Sequence, residues 1–345
     1  MKFLLTLGIT LFLATSGANA QGVKLTHHCA TADGATGLSA TYLAEVAARY
    51  NVATIQTSCG KTLTKTMLQV AEGKIDMTAS PFILNFLMKK ALGPYAGLGK
   101  KKGADYANRL RILYAYDIAS FYLVSFKTKG IDSWDKLKGK KIFNGPPRGG
   151  ATTTAKGIIF HMAGLKEGKG YTAKHVSWPQ SYSIMLDGSV DLSVRPGTNP
   201  PAWVPIFLAA GKINIVSMKK AIWEGKGFQK FANGPGAVGV KLAIKDLAFG
   251  KHVISEDGYF RSLVQQAGDI VNASMSKSLA KKLTAAFIKD IDQLKMKTPW
   301  AAGNNYGNTD GKRMGFCKMV GVKFHPGAVE AWEEAGRKIP DCAKG

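Results

Sequence analysis

The chain has 345 residues, 46% apolar and 20% charged, a globular composition that excludes a disordered or low-complexity protein. Its formal charge of +24 would ordinarily suggest nucleic acid, but the first twenty residues argue for export, so no nucleic-acid partner is expected. That length is comfortable for two lobes and large for a single core.

Met1-Lys2 is a short positive start, Phe3 to Leu13 is a nearly unbroken apolar run, and Ala18-Asn19-Ala20 offers small residues for cleavage. These are the marks of a secretory signal peptide over residues 1–20, which predicts a periplasmic protein. A lipoprotein is not expected, because His27-His28 precedes Cys29 where small residues would be needed. No later apolar stretch approaches the ~20 residues of a transmembrane helix. Lys2 is the only charge removed with the signal peptide, so +23 remains to draw anions toward any cleft.

Val23 to Thr26 reads as a strand, and Leu38, Tyr42, Val46 and Tyr50 form one stripe of a helix. Val52 to Thr57 is a second strand, and Leu63, Met67, Val70 and Ala71 mark a helix that Gly73 ends. Ile75 to Ala79 begins a third strand, and the lysine- and glycine-rich stretch Gly93 to Gly103 is expected to be a loop. Leu110 to Lys127 is long and β-rich with a polar break at Asp117, and reads as a crossing between lobes. Beyond it, strands are expected at Lys141–Asn144, Lys174–Trp178 and Ile213–Ser217, with helices at 150–164, 180–187 and 200–210. Strands alternating with helices imply parallel sheets covered by helices. Glu72-Gly73-Lys74-Ile75-Asp76-Met77-Thr78 is echoed 115 residues later by Asp187-Gly188-Ser189-Val190-Asp191-Leu192-Ser193, which suggests two similarly built lobes. With a return near Ser217-Met218, the expected domains are 21–120 plus 218–345 and 121–217, a hinged clamp around an interdomain cleft.

Four cysteines in an exported chain suggest two disulfides, with three possible connectivities. If the first two strands are parallel neighbours, Cys29 and Cys59 meet at their ends, leaving Cys317 and Cys342 to pair. A metal site from His27, His28, Cys29 and Cys59 is the alternative, but its spacing matches no standard zinc pattern. No metal or cofactor is expected.

Ligands of α/β sheets bind at the carboxyl ends of strands. The corresponding loops here are rich in glycine and hydroxyls, and their backbone N–H groups at helix starts suit anions. The candidate ligand contacts are Thr31, Thr36, Ser58, Lys61, Ser80, Arg148, Thr152, Gln180, Ser181, Arg195 and Asn199. Arg148 and Arg195 stand out because only five arginines precede residue 200, and a guanidinium grips a carboxylate bidentately. Gly60-Lys61-Thr62 is not a phosphate loop, since Ile55 stands where that pattern needs glycine. Catalytic constellations are thin, His325 in Phe324-His325-Pro326-Gly327 having no nucleophile near it in sequence. An exported hydrolase is the competing class, and an enzyme is not expected.

Several phrases resemble the TAXI-type solute receptors of TRAP transporters. They are Gly130-Ile131-Asp132-Ser133-Trp134-Asp135-Lys136-Leu137-Lys138-Gly139-Lys140-Lys141, then Gly145-Pro146-Pro147, Ser181 to Asp191, Pro196 to Pro201, and Phe324-His325-Pro326-Gly327-Ala328-Val329. The resemblance covers roughly 22–218 and 316–336. It implies a type II-like Venus flytrap that captures a small carboxylate, such as glutamate or 2-oxoglutarate, and delivers it to a membrane permease. Service to a sensor or another transporter is the runner-up. This sequence departs from the family in Ala30 to Gly37, in Cys59-Gly60-Lys61 and at Arg148. There Asp33 would repel an anion, whereas Lys61 and Arg148 would attract one.

Overall fold

The computed structural model describes residues 22–311, 313–317 and 321–345, so the signal peptide expected over 1–20 lies outside the described residues. The first part of the chain runs β1 (Lys24–His28), α1 (Ala35–Arg49), β2 (Thr54–Ser58), α2 (Leu63–Ala71), β3 (Met77–Pro81), α3 (Ile83–Lys89), α4 (Gly99–Asn108) and the long β4 (Leu110–Phe126). The middle runs β5 (Lys141–Phe143), α5 (Gly150–Ala163), β6 (Thr172–Ala173), α6 (Gln180–Leu186), β7 (Leu192–Gly197), α7 (Val204–Ala210), β8 (Ile213–Val216), α8 (Lys220–Glu224), α9 (Lys226–Ala232), β9 (Ala237–Ala243) and β10 (Val253–Ile254). A second long strand, β11 (Tyr259–Asn272), is followed by α10 (Lys277–Lys289), α11 (Ile291–Met296), β12 (Lys323–Phe324) and α12 (Pro326–Glu334).

Two lobes share one sheet of order β2-β1-β3-β11-β4-β7-β5-β6. In the first lobe β1, β2 and β3 are parallel, and β3 lies antiparallel to the far half of β11. In the second, β5, β6 and β7 are parallel, and β7 lies antiparallel to the far half of β4. β4 and β11 run antiparallel through both lobes, with register shifts at Gln265/Gln266 and at Gly268/Ile270. One apolar core is built from residues 25–116 and 267–343, and two others from residues 121–263. Met218, where a return to the first lobe was expected, lies in a second-lobe core with Phe228 and Leu263. In β11 the stretch Ala267–Val271 pairs with β3 of the first lobe.

The echoed heptads do the same work in each lobe. Gly73 and Gly188 end their helices at φ 70° and 74°, a conformation that costs glycine little. Asp76 precedes β3 and accepts the Thr26 N–H at 2.8 Å, and Asp191 precedes β7 and accepts the Lys141 N–H at 2.8 Å. The next residues pair as His27 with Met77 and Ile142 with Leu192, so the offset is 50 residues in both lobes. Each aspartate thereby fixes the register of two parallel strands.

Two local expectations fail. Gly93–Gly103 is helical, with a 3₁₀ turn over Gly93–Leu98 leading into α4. Its lysines occupy the exposed side, while buried Gly103 lets α4 approach α3 so closely that an added Cβ would lie 2.3 Å from the Met88 carbonyl oxygen. Lys174–Trp178 is not a strand; the pairing with β5 ends at Ala173. There His175 instead turns its Nδ1 to the Gly145 carbonyl oxygen at 2.9 Å and its Nε2 to Glu167 at 2.9 Å.

The Phe324-His325-Pro326-Gly327 phrase is a helix start. His325 Nδ1 accepts the Gly327 N–H at 3.2 Å, and its Nε2 lies 2.9 Å from the Met275 carbonyl oxygen, which fits a neutral ring with the proton on Nε2. Burial lowers its pKa below the ordinary 6.5, against the raising effect of the backbone carbonyls of Met275 and Ala273. Its contribution to stability is therefore complete above pH 6.5 and is lost as pH falls through 6.5 toward the lowered value. His325→Asn should flatten part of the drop in urea stability between pH 7.5 and 5.5; an unchanged slope would deny the cap this role. Asp76→Ala should cost about 1–3 kcal/mol of unfolding free energy in urea, the range of hydrogen bonds to a charged group.

Candidate functional site

Where the lobes face each other, a cavity of about 130 Å³ opens at the carboxyl ends of β1, β3 and β7. Ile118, Ala119 and Gln265 of the two shared strands form part of its floor. The Cys29–Cys59 disulfide ties the ends of β1 and β2 together, and the Cys29 N–H donates to the Ser58 carbonyl at 3.1 Å. That staple holds the Ala30–Gly34 turn, which delivers the start of α1 to the cavity. The second disulfide joins Cys317 and Cys342.

Three helix starts converge on the cavity: Gly34 before α1, Thr62 before α2 and Gly149 before α5. None has a side-chain cap, so their first N–H groups remain available to an anion. The lobes touch nearby. An added Cβ on Gly150 would come 2.8 Å from Leu84 of the opposite lobe, and Tyr182 Oη donates to Asp33 Oδ2 across the cleft at 2.8 Å.

Arg195 dominates the second-lobe wall. Strand alternation in β7 sends Leu192 and Val194 to one core and Arg195 toward the other. There its guanidinium lies 5.0 Å from the Tyr182 ring centre, 5.6 Å from Trp203 and Phe207, 5.9 Å from Phe143 and 6.0 Å from Trp178. The side chain is only 3% exposed, and its Nε and Nη1 have no hydrogen-bond partner among the described residues. Burial pulls its pKa down to about 10, while Tyr182 and Asp33 work to raise it, so it is charged at neutral pH. Burial pushes Tyr182 up to about 12, against the lowering effect of Arg195, so its phenol keeps the proton it donates.

Of the residues expected at the site, Thr31, Thr36 and Arg195 line the cavity. Thr36 Oγ1 also accepts the Ala30 N–H at 3.3 Å. Ser58 and Lys61 sit beside the disulfide but outside the lining, and Lys61 is exposed. Ser80 is buried against Thr78, and Ser181 is buried with its hydroxyl on the Trp178 carbonyl oxygen. Gln180 is exposed and bonds to Ser177. Arg148 and Thr152 face a separate surface hollow with Lys156, and Asn199 faces another beside Asp117 and Arg313. Trp178, Tyr182, Trp203 and Gln265 line the cavity without having been singled out in the sequence.

This fold is that of periplasmic solute-binding proteins. It is similar to the binding protein component of an ABC phosphonate transporter from Pseudomonas aeruginosa, at 11% identity over 84% of this chain and 83% of that one, with a TM-score of 0.53. A TRAP periplasmic solute binding protein from Ralstonia eutropha H16 with bound (S)-2-acetolactate matches at 15% identity over 90% of each chain, TM-score 0.45. An extracytoplasmic solute receptor from Bordetella pertussis binding pyroglutamic acid matches at 11% identity over 82% and 83%, TM-score 0.46. The chain belongs to the NMT1-like family, whose model matches residues 35–336. No curated protein matches it in sequence.

A buried cation with unmet donors and no carboxylate in direct contact is costly, and an apolar replacement of similar length removes that cost. Arg195→Met is therefore expected to raise the unfolding free energy of the ligand-free protein by about 1 kcal/mol or more in guanidinium titrations. A clear loss of stability would mean that the guanidinium serves the fold rather than a ligand.

Proposed function

We propose that the protein is a periplasmic receptor that captures a small organic carboxylate between its lobes and delivers it to a membrane permease. The observation that carries this reading is Arg195, a buried guanidinium whose residue lines the cavity between the lobes and whose Nε and Nη1 have no hydrogen-bond partner among the described residues. A carboxylate there would complete the fork and receive N–H groups from the three uncapped helix starts. The cavity is of a size for a ligand of about ten non-hydrogen atoms, which suits a carboxylate the size of glutamate. Within solute receptors, the resemblance of 130–141, 145–147, 181–191, 196–201 and 324–329 to TAXI-type receptors supports a TRAP-type permease as the partner. We further propose that the working domains are 22–116 with 267–345 and 121–263, joined at β4 and β11, with closure coupled to binding.

Native mass spectrometry of the protein purified from its own periplasm should show one unaltered carboxylate per chain. Calorimetry with that carboxylate should give micromolar or tighter affinity, weakened at least tenfold by Arg195→Ala. Affinity unchanged in the variant, or turnover of the bound molecule, would refute the reading.

A further inference from the structure

A strongly basic surface attracts anions of every charge and does not choose among them. Choice falls to the cavity, whose described lining carries one cationic side chain, Arg195, and one carboxylate, Asp33. They come from opposite lobes, Asp33 from the turn after β1 and Arg195 from β7. Tyr182 stands between them, with its ring centre 5.0 Å from the guanidinium and its hydroxyl proton given to Asp33 Oδ2 at 2.8 Å. Asp33 is the exposed member of this chain and Arg195 the buried one, so Asp33 lies on the solvent side of the lining, while Arg195 Nε and Nη1 remain without partners among the described residues.

We infer that Asp33 is a specificity-determining residue that, with Tyr182, restricts the ligand to a single net negative charge. The inference rests on the anion-receptor reading. One anionic group of the ligand meets Arg195 and the helix starts. Whatever lies toward the mouth meets a carboxylate and finds no second guanidinium. A second anionic group there is repelled, whereas a hydroxyl, amide or ammonium group can donate to Asp33. Two like charges about 6 Å apart at an effective dielectric of about 20 interact by roughly a hundredfold in affinity. Asp33 is exposed, so solvent and salt reduce this to about tenfold.

The test is calorimetry on matched pairs, 2-oxopentanoate with 2-oxoglutarate and butyrate with succinate. The wild type should prefer the monoanion of each pair at least tenfold. Asp33→Asn, which keeps an acceptor oxygen for Tyr182, should bring the ratio within about threefold, chiefly by tightening the dianion. Tyr182→Phe removes the hydrogen bond and keeps the charge, so most of the preference should survive in it. If wild type binds each dianion as tightly as its monoanion, or Asp33→Asn leaves the ratio unchanged while Arg195→Met abolishes binding, the filter is wrong and the anion receptor stands. If no probe binds the wild type, or binding ignores Arg195, the receptor reading fails and the filter falls with it.

Discussion

A guanidinium held out of water with two donor nitrogens unmet among the described residues is the constraint around which the second-lobe wall is arranged. Five aromatic rings within about 6 Å compensate part of the charge, each contact contributing roughly 0.5–2 kcal/mol according to how dry it is. None of them can satisfy the directed donors of the fork, because a π face offers no lone pair. On the proposed reading, this cost would serve to hold a pre-oriented cation near the end of a strand paired on both sides. β7 is suited to that task, being paired on one side with β4 and on the other with β5. The guanidinium therefore cannot relax into solvent without breaking an aromatic cluster.

The two shared strands decide how such a site can open. β4 and β11 belong to both lobes, so any closing motion must bend paired strands rather than swing flexible loops. Their register shifts at Gln265/Gln266, beside the cavity floor formed by Ala119 and Gln265. A ladder irregularity is a place where strands bend and twist readily. Arg313 braces the same region from the first lobe: it pairs with Asp117 of β4, and its carbonyl oxygen accepts from the Gln266 side chain of β11. On the closure proposed above, bending would fall on the stretch between the two register shifts, Gln265/Gln266 and Gly268/Ile270.

Much of the first-lobe fold was legible because its elements follow simple periodicities. The heptad echo was the most informative signal: it marked equivalent glycine stops and equivalent aspartates, and the structure gives both aspartates the same strand-to-strand hydrogen bond. Strand β11 was hidden, because it buries Arg261, Ser262, Gln265, Gln266 and Asp269 and so lacks the alternation that identifies a strand. Helix α4 was hidden by its lysines, which belong to a solvated face, and by Gly103, which close packing against α3 requires. At the site, Arg195 was legible as a rare arginine after a buried strand. Its aromatic surroundings were not, since Phe143, Trp178, Tyr182, Trp203 and Phe207 are brought together by tertiary packing that no local spacing encodes.

The division of labour between surface and cavity resolves the apparent conflict between a chain of +24 and a carboxylate at the binding site. Exposed charges act over a Debye length of about 8 Å in physiological salt, so they mainly shape encounter rates. Lys61 and Arg148 are exposed next to Thr62 and Gly149, at the margin of the cleft, where a positive field speeds the approach of any anion. On the receptor reading proposed above, Arg195 would act after the ligand has shed its water, where directed hydrogen bonds decide affinity. Asp33 sits between these regimes, near enough to the cavity to be felt by a bound ligand and wet enough to cost the fold little. A negative charge in that position weakens the general attraction for anions without cancelling it. On the proposed reading, capture would be fast because the exterior is basic, and selective because the cavity lining pairs one cationic side chain with one carboxylate.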